Sequence, residues 1–205
     1  MFGGSTPVVQ IPNYIEIPNL VERDQQNYFL AIGRITAKKA LDELIRSLSL
    51  SQTFLRSNFT LKIAGRGDES YVDKLRRLAV ELGLSEKVEF VGQVEGEAKQ
   101  KLFADAYWTF MPSHTENFGM VVLESLAQNT PVLASTNSPW KSLEDEGVGI
   151  WCDNSPQILA QRIDEILAMT ESEYGSYRSR ARQFVLERFD IKSNIRKWEE
   201  FYSGL

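Results

Sequence analysis

Cysteine is almost absent from this sequence. Its 205 residues contain one, Cys152, so no internal disulfide can form and a reducing cytoplasm fits. Histidine is as scarce, and His114 and Cys152 cannot make a zinc site between them. No Asp-x-Asp pair occurs, so the grouped carboxylates with which many enzymes hold a metal–diphosphate complex are missing and no metal is expected. Positive charge is not in excess: 23 Lys and Arg stand against 28 Asp and Glu, a net charge of −5. That balance argues against a broad nucleic-acid footprint, which needs clustered cations, but leaves room for a diphosphate that needs only a few local donors. No apolar run approaches the roughly 20 residues that span a bilayer. Residues 1–6 hold no basic stretch followed by an apolar block, so no secretory signal is expected. The sequon Asn58-Phe59-Thr60 is accordingly read as chance.

What is present is a soluble, core-forming composition, 42% hydrophobic and 25% charged, of a length that suits one α/β domain and is too short for two. Short apolar, β-branched or aromatic runs at residues 8–11, 28–32, 59–64, 88–91, 108–111, 132–134 and 148–151 read as strands. Helical spacing fills the gaps: 40–50, 72–82 closed by Gly83, an unusually apolar 118–127, 156–169 opening on Ser155-Pro156, and 173–202 broken near Phe189-Asp190. Such alternation implies a single Rossmann-like domain, a mostly parallel sheet with helices on both faces. Residues 1–7, with Gly3-Gly4-Ser5, are expected to be a flexible lead-in, and 8–205 the domain. Ligands of such sheets lie beyond the carboxyl ends of the strands, which directs attention to the strand-to-helix turns.

Four turns carry unusual residues. Gly33-Arg34, with Lys39 five residues on, places a close-approach glycine beside two cations, although cations at a helix start are as readily solvated surface. Gly65-Arg66-Gly67 can form a phosphate-facing turn or a plain one, and lacks the third glycine of the dinucleotide fingerprint. Gln93-Val94 could offer backbone groups to a base. The fourth turn, Pro112 to Glu124, is the most specific. A strand ends at Met111, a polar loop follows, and a buried helix begins near Phe118. The amides of Gly119, Met120 and Val121 would be free at the helix N-terminus and, with the helix dipole, would form an anion site. Glu124 sits on this apolar helix, where a carboxylate needs partners: ribose hydroxyls or a structural ion pair. His114 reads as a loop residue, and Trp108, Phe110 and Phe118 read as core.

Glu116 and Glu124, separated by seven residues, resemble the E-x(7)-E motif of family 4 retaining glycosyltransferases of the B-type fold. The string PSHTENFGMVVLESLAQNTPVLAS is similar to that family's signature over its full length. IGRITAKKA resembles its G-R-x-x-x-x-K turn, LKIAGRGDE its G-x-G turn, LGLSEKVEFVGQV its base-facing segment, and RARQFVLERFDIKSNIRKWEEFY its closing helices. The likeness runs from about Val8 to Tyr202, in the C-terminal half of a two-domain enzyme. It implies that Arg34 and Lys39 stabilise the departing diphosphate and that Glu116 meets the donor sugar as a third catalytic residue. It also implies that Gly33, Gly65, Gly67, Gln93, Val94, Asn117, Phe118, Gly119, Met120, Val121 and Glu124 bind the donor, with Glu124 on the ribose. No cofactor is implied, only a UDP- or GDP-type nucleoside diphosphate sugar as substrate.

The resemblance further implies an N-terminal acceptor domain outside this sequence, without which the isolated domain should not catalyse. Relatives of this kind often build surface polysaccharides, which implies a cytoplasmic protein, peripheral at the inner membrane face through the full-length chain. The sequence departs from the family's pattern at Lys38, Ala40, Asn117 and the Thr136-Asn137-Ser138-Pro139-Trp140 loop, and the last bears on sugar specificity. A non-catalytic nucleotide-binding module and a sugar-nucleotide epimerase of the same architecture remain as alternatives.

Overall fold

Residues 11–203 are described in a computed structural model of the chain. The strands are β1 (Tyr28–Ile32), β2 (Thr60–Ala64), β3 (Val88–Gly92), β4 (Trp108–Met111), β5 (Val132–Ser135) and β6 (Gly149–Cys152). The helices are α1 (Leu41–Leu50), α2 (Gln52–Arg56), α3 (Glu69–Glu81), α4 (Gly96–Asp105), α5 (Met120–Ala127), α6 (Ser142–Asp145), α7 (Pro156–Leu167), α8 (Glu171–Arg188) and α9 (Ile191–Ser203). The strands form one parallel sheet in the order β3-β2-β1-β4-β5-β6. Successive strands are added outward on one side of β1 and then, from β4, on the other. The order therefore reverses between β1 and β4, and turns leaving these two neighbours diverge and open a crevice at their carboxyl ends.

Alternation along each strand sorts side chains to two faces. Phe29 and Ala31 of β1 join a cluster with Leu44, Ile45 and Leu48 of α1, Leu75 of α3 and Leu159 and Ile163 of α7. Tyr28 and Leu30 face the other way, toward Phe103 of α4. On that second side Val122, Leu123 and Leu126 of α5 pack with Ala181, Phe184 and Val185 of α8. Phe29 is fully buried, its ring 4.7 Å from that of Phe110 and 5.3 Å from that of Phe59.

Most expected boundaries move by a residue or two, for local reasons. The helix expected at 72–82 starts at Glu69, because Asp68 caps it by accepting from the Ser70 and Tyr71 amides. The one expected at 118–127 starts at Met120, since Gly119 holds a left-handed φ of 81° and serves as its N-cap. The long tail helix is two helices, α8 and α9, parted at Phe189-Asp190 where Ile15 bridges to Asp190. Of the strand expected at 8–11, only Ile11 is described and it is not in a strand; the lead-in at 1–7 lies outside the described residues. Helices α2, α4 and α6 are additions to the expected elements.

Two strand-to-helix turns are tied backbone to backbone. Gly33 N–H donates to Ala64 O at 3.0 Å, Gly65 N–H to Gly92 O at 2.7 Å, and Ile35 N–H to Arg66 O at 2.8 Å. A Cβ on Gly65 would stand 1.8 Å from the Gly33 carbonyl oxygen, with a φ of +134° that L side chains rarely adopt. Gly65→Ala should therefore cost about 2–4 kcal/mol in urea denaturation. Gly175→Ala, in mid-α8 with nothing within 4 Å, should instead stabilise by about 0.5–1 kcal/mol. Equal effects at the two sites would contradict the packing described. Burial pushes the Cys152 thiol up to about 12. The native chain should therefore stay inert to a disulfide reagent at pH 8 and react once unfolded in urea; rapid native-state reaction would place Cys152 at the surface.

Candidate functional site

The site grows out of the turns that follow β1 and β4. After β1, Gly33 and the exposed Arg34 lead to a single 3-10 turn, Ala37–Lys39. Ala40 ends that turn in the left-handed region, φ 49° and ψ 39°, and starts α1. An alanine there costs on the order of 1–2 kcal/mol, a strain that glycine would not carry. The reversal brings the Lys38 carbonyl against the loop after β4, where it accepts the His114 N–H at 2.8 Å. One residue further along, the Lys39 ammonium forms an ion pair with the Glu116 carboxylate. Glu116 is itself held by its backbone, whose N–H donates to Asn137 O at 3.1 Å.

The β4 loop ends at Gly119. Its φ of +81° is one that L side chains rarely adopt, and a Cβ there would also have to push aside Met111 Sδ, 2.5 Å away, so the bend favours glycine. It aims the first turn of α5 into the crevice. Among the described residues no acceptor meets the backbone N–H groups of Gly119, Met120 or Val121. These groups and the helix dipole form a fixed positive end. The bend is braced from behind by Trp140, which is 2% exposed. Its indole N–H donates to the Phe118 carbonyl, and its ring lies 5.1 Å from that of Phe118 and 5.6 Å from that of Phe189.

Two clefts adjoin here. One, of about 390 Å³, is lined by Lys39, Glu116, Asn117, Phe118, Gly119, Met120, Val121 and Glu124, together with Asn13 and Lys99. The other, of about 570 Å³, is lined by Gly33, Arg34, Gly65, Gln93 and Val94 with Arg66, Glu95, Gly96, Lys99 and Gln100. They share Ile32, Gly33 and Lys99. Volumes of this size suit a ligand as large as a nucleotide with its sugar. All but one of the residues that the sequence singles out are thus brought together. The exception is Gly67, which lines neither cleft: it packs on Ile35, whose carbonyl oxygen a Cβ would approach to 2.1 Å.

Glu124 is not a lone carboxylate. Lys99 of α4 donates to its Oε1 at 2.6 Å, and both side chains are about a quarter exposed. Sequence reasoning missed Lys99, because the polar stretch Glu95 to Lys101 carries no motif. His114 turns away from the cleft, its Nδ1 lying 3.0 Å from Nδ2 of Asn154, which also donates to Pro112 O. Trp108 and Phe110 are buried. Among the described residues no three His, Cys, Asp or Glu side chains gather as metal ligands, and no helix is long and apolar enough to cross a membrane.

The sequence pattern of the family described as "Glycosyl transferases group 1" matches residues 15–184. The chain belongs to that family. It is 35% identical over 148 residues to an uncharacterised glycosyltransferase of Methanocaldococcus jannaschii, an alignment covering 71% of this chain and 37% of that protein. Among solved structures it is similar to HepE of Anabaena, in complex with UDP and glucose, with a TM-score of 0.78 at 23% identity. That superposition covers 88% of this chain and 49% of HepE. The C-terminal domain of the group 1 family protein LpcC from Francisella tularensis superposes with a TM-score of 0.70 at 20% identity over 82% of this chain and 88% of that domain. At such identities the structural likeness speaks for the fold. The glycosyl transferase domain thus matches the C-terminal half of two-domain B-type enzymes, and spans about half or less of their length.

The brace behind α5 yields a test of its own. Trp140→Phe keeps a ring and loses the donor to Phe118, so urea denaturation should show a loss of about 1–2 kcal/mol. Trp140→Ala, which also empties the cluster, should lose about 3–5 kcal/mol. Equal stabilities of Trp140→Phe and the parent would remove the hydrogen bond from the account.

Proposed function

We propose that this chain is the donor-binding domain of a retaining, metal-independent glycosyltransferase that takes a sugar from a UDP- or GDP-type nucleoside diphosphate sugar. One observation carries the reading. The free amides of the α5 N-terminus, Lys39, Glu116 and Glu124 line one cleft at the strand-order reversal, and Arg34 lines the cleft that adjoins it. Each group suits one part of such a donor. The amides Gly119 to Val121 accept phosphate oxygens, as helix N-termini do. Arg34 and Lys39 face the bridge oxygen of the diphosphate and offset the charge that builds there as the bond to the anomeric carbon breaks. Fixed dipoles and cations do this without having to reorganise during the reaction.

In this reading Lys39 does two things, since the same ammonium holds Glu116 in place toward the sugar hydroxyls. Glu124 takes the ribose hydroxyls, and the backbone at Gln93 and Val94 takes the base. Gly33 and Gly65 leave room for the ligand to approach the sheet edge. The acceptor belongs to the enzyme's other domain, so transfer requires both halves, with this domain contributing donor binding. HepE, whose fold this chain resembles, is in complex with UDP, and that supports a nucleotide as the ligand here.

Calorimetric titration of the chain with UDP, GDP and ADP tests the reading. One of the three should bind, and Glu124→Ala should weaken it by about tenfold or more, the scale of a lost hydrogen-bonded carboxylate. Unchanged affinity in that variant would remove the ribose assignment. Absence of binding by all three would overturn the donor-domain reading.

A further inference from the structure

We propose that Lys99 is a positioning residue of the donor site, one that holds the Glu124 carboxylate in the crevice and offsets its charge beside the diphosphate. This inference rests on the donor-binding reading above. Glu124 is the one charged residue of α5, and its neighbours Leu123 and Ser125 are fully buried. A carboxylate rooted on such a helix at the cleft wall has two ways to lower its energy. It can swing toward open water, or it can find a cation. Lys99 supplies the cation from a different helix, 25 residues away in sequence, and the contact is 2.6 Å.

The location separates this pair from the domain's other ion pairs. Three residues line both clefts, Ile32, Gly33 and Lys99, and only Lys99 of these carries charge. It therefore stands at the passage between the base-facing cleft and the cleft of the α5 amides. With Lys99 27% and Glu124 24% exposed, the pair can add little to stability, as partly exposed pairs generally do. Its consequence falls on the ligand. A carboxylate without its cation would repel the diphosphate that the neighbouring amides attract. The ammonium has three donors and gives one to Oε1, which leaves Oε2 to accept from a ribose hydroxyl. Lys39 pairs with Glu116 in the same cleft in the same way, so Glu116 and Glu124 each have their own lysine.

The test is a double-mutant cycle read by calorimetry on the whole chain. UDP, GDP and ADP are titrated first. The tightest of them is then titrated into Lys99→Met, Lys99→Arg, Glu124→Gln and the combined Lys99→Met/Glu124→Gln, with the thermal midpoint of each variant recorded. Lys99→Met should weaken binding by about three- to tenfold, with its midpoint within about 3 °C of the parent. Lys99→Arg should retain most of the affinity. The double variant should bind no worse than Glu124→Gln alone, because Lys99 acts through Glu124. Unchanged affinity in Lys99→Met overturns the proposal, as does a double variant whose loss is the product of the two single losses. A Lys99→Met chain with lowered midpoint and parental affinity assigns the pair to structure and overturns it too. If none of the three nucleotides binds the unsubstituted chain, the donor-binding reading itself fails and takes this inference with it.

Discussion

The junction of the turns after β1 and β4 is the constraint on which the rest of the crevice depends. These strands are adjacent in the sheet, yet 75 residues lie between the end of β1 at Ile32 and the start of β4 at Trp108. The sheet order brings them together and the reversal of that order keeps helices from filling the gap between them. The His114 amide on the Lys38 carbonyl then fixes the register of the two loops, and the Lys39–Glu116 pair closes over that bond. Remove the junction and the α5 N-terminus would still be a positive end, but it would face an unshaped opening.

The crevice is built more from backbone than from side chains. The left-handed bend at Gly119, against Met111, favours glycine, and that bend is what turns three amides outward. Trp140 braces it from the rear, through the Phe118 carbonyl and the Phe118–Phe189 ring cluster. Phe189 belongs in turn to the break between α8 and α9, beside the bridge from Ile15 to Asp190. The loop of the crevice is therefore packed, through three aromatic rings, against the α8–α9 break where Ile15 bridges to Asp190.

The parts of this arrangement that are local were legible in the sequence. β1 and β4 run as expected from Tyr28 to Ile32 and from Trp108 to Met111, because apolar runs bounded by Gly or Pro leave little freedom. The parallel sheet followed from strand–helix alternation, and the family from the motifs around Glu116 and Glu124. What depends on distant contacts was not legible. α4 is polar through Lys101, and its buried residues, Phe103, Ala104 and Asp105, gather at its end, so no amphipathic spacing announces it. Lys99 was missed with the helix that carries it. α2 spans five residues, too short for periodicity, and exists because Ser51 caps it on the Phe54 amide. Gly67 lines neither cleft because the bridge between Ile35 and Gly67 holds the second glycine of its turn beside Ile35, a long-range pairing that a turn motif does not encode.

The central claim is that the first amides of α5 receive the diphosphate of a nucleotide. Nuclear magnetic resonance of isotopically labelled chain, titrated with UDP, GDP or ADP, observes those amides directly. The account predicts that the Gly119, Met120 and Val121 resonances move furthest and saturate together, with smaller movements at Gly33 and Val94. A nucleotide that binds while those three amides stay fixed would contradict it.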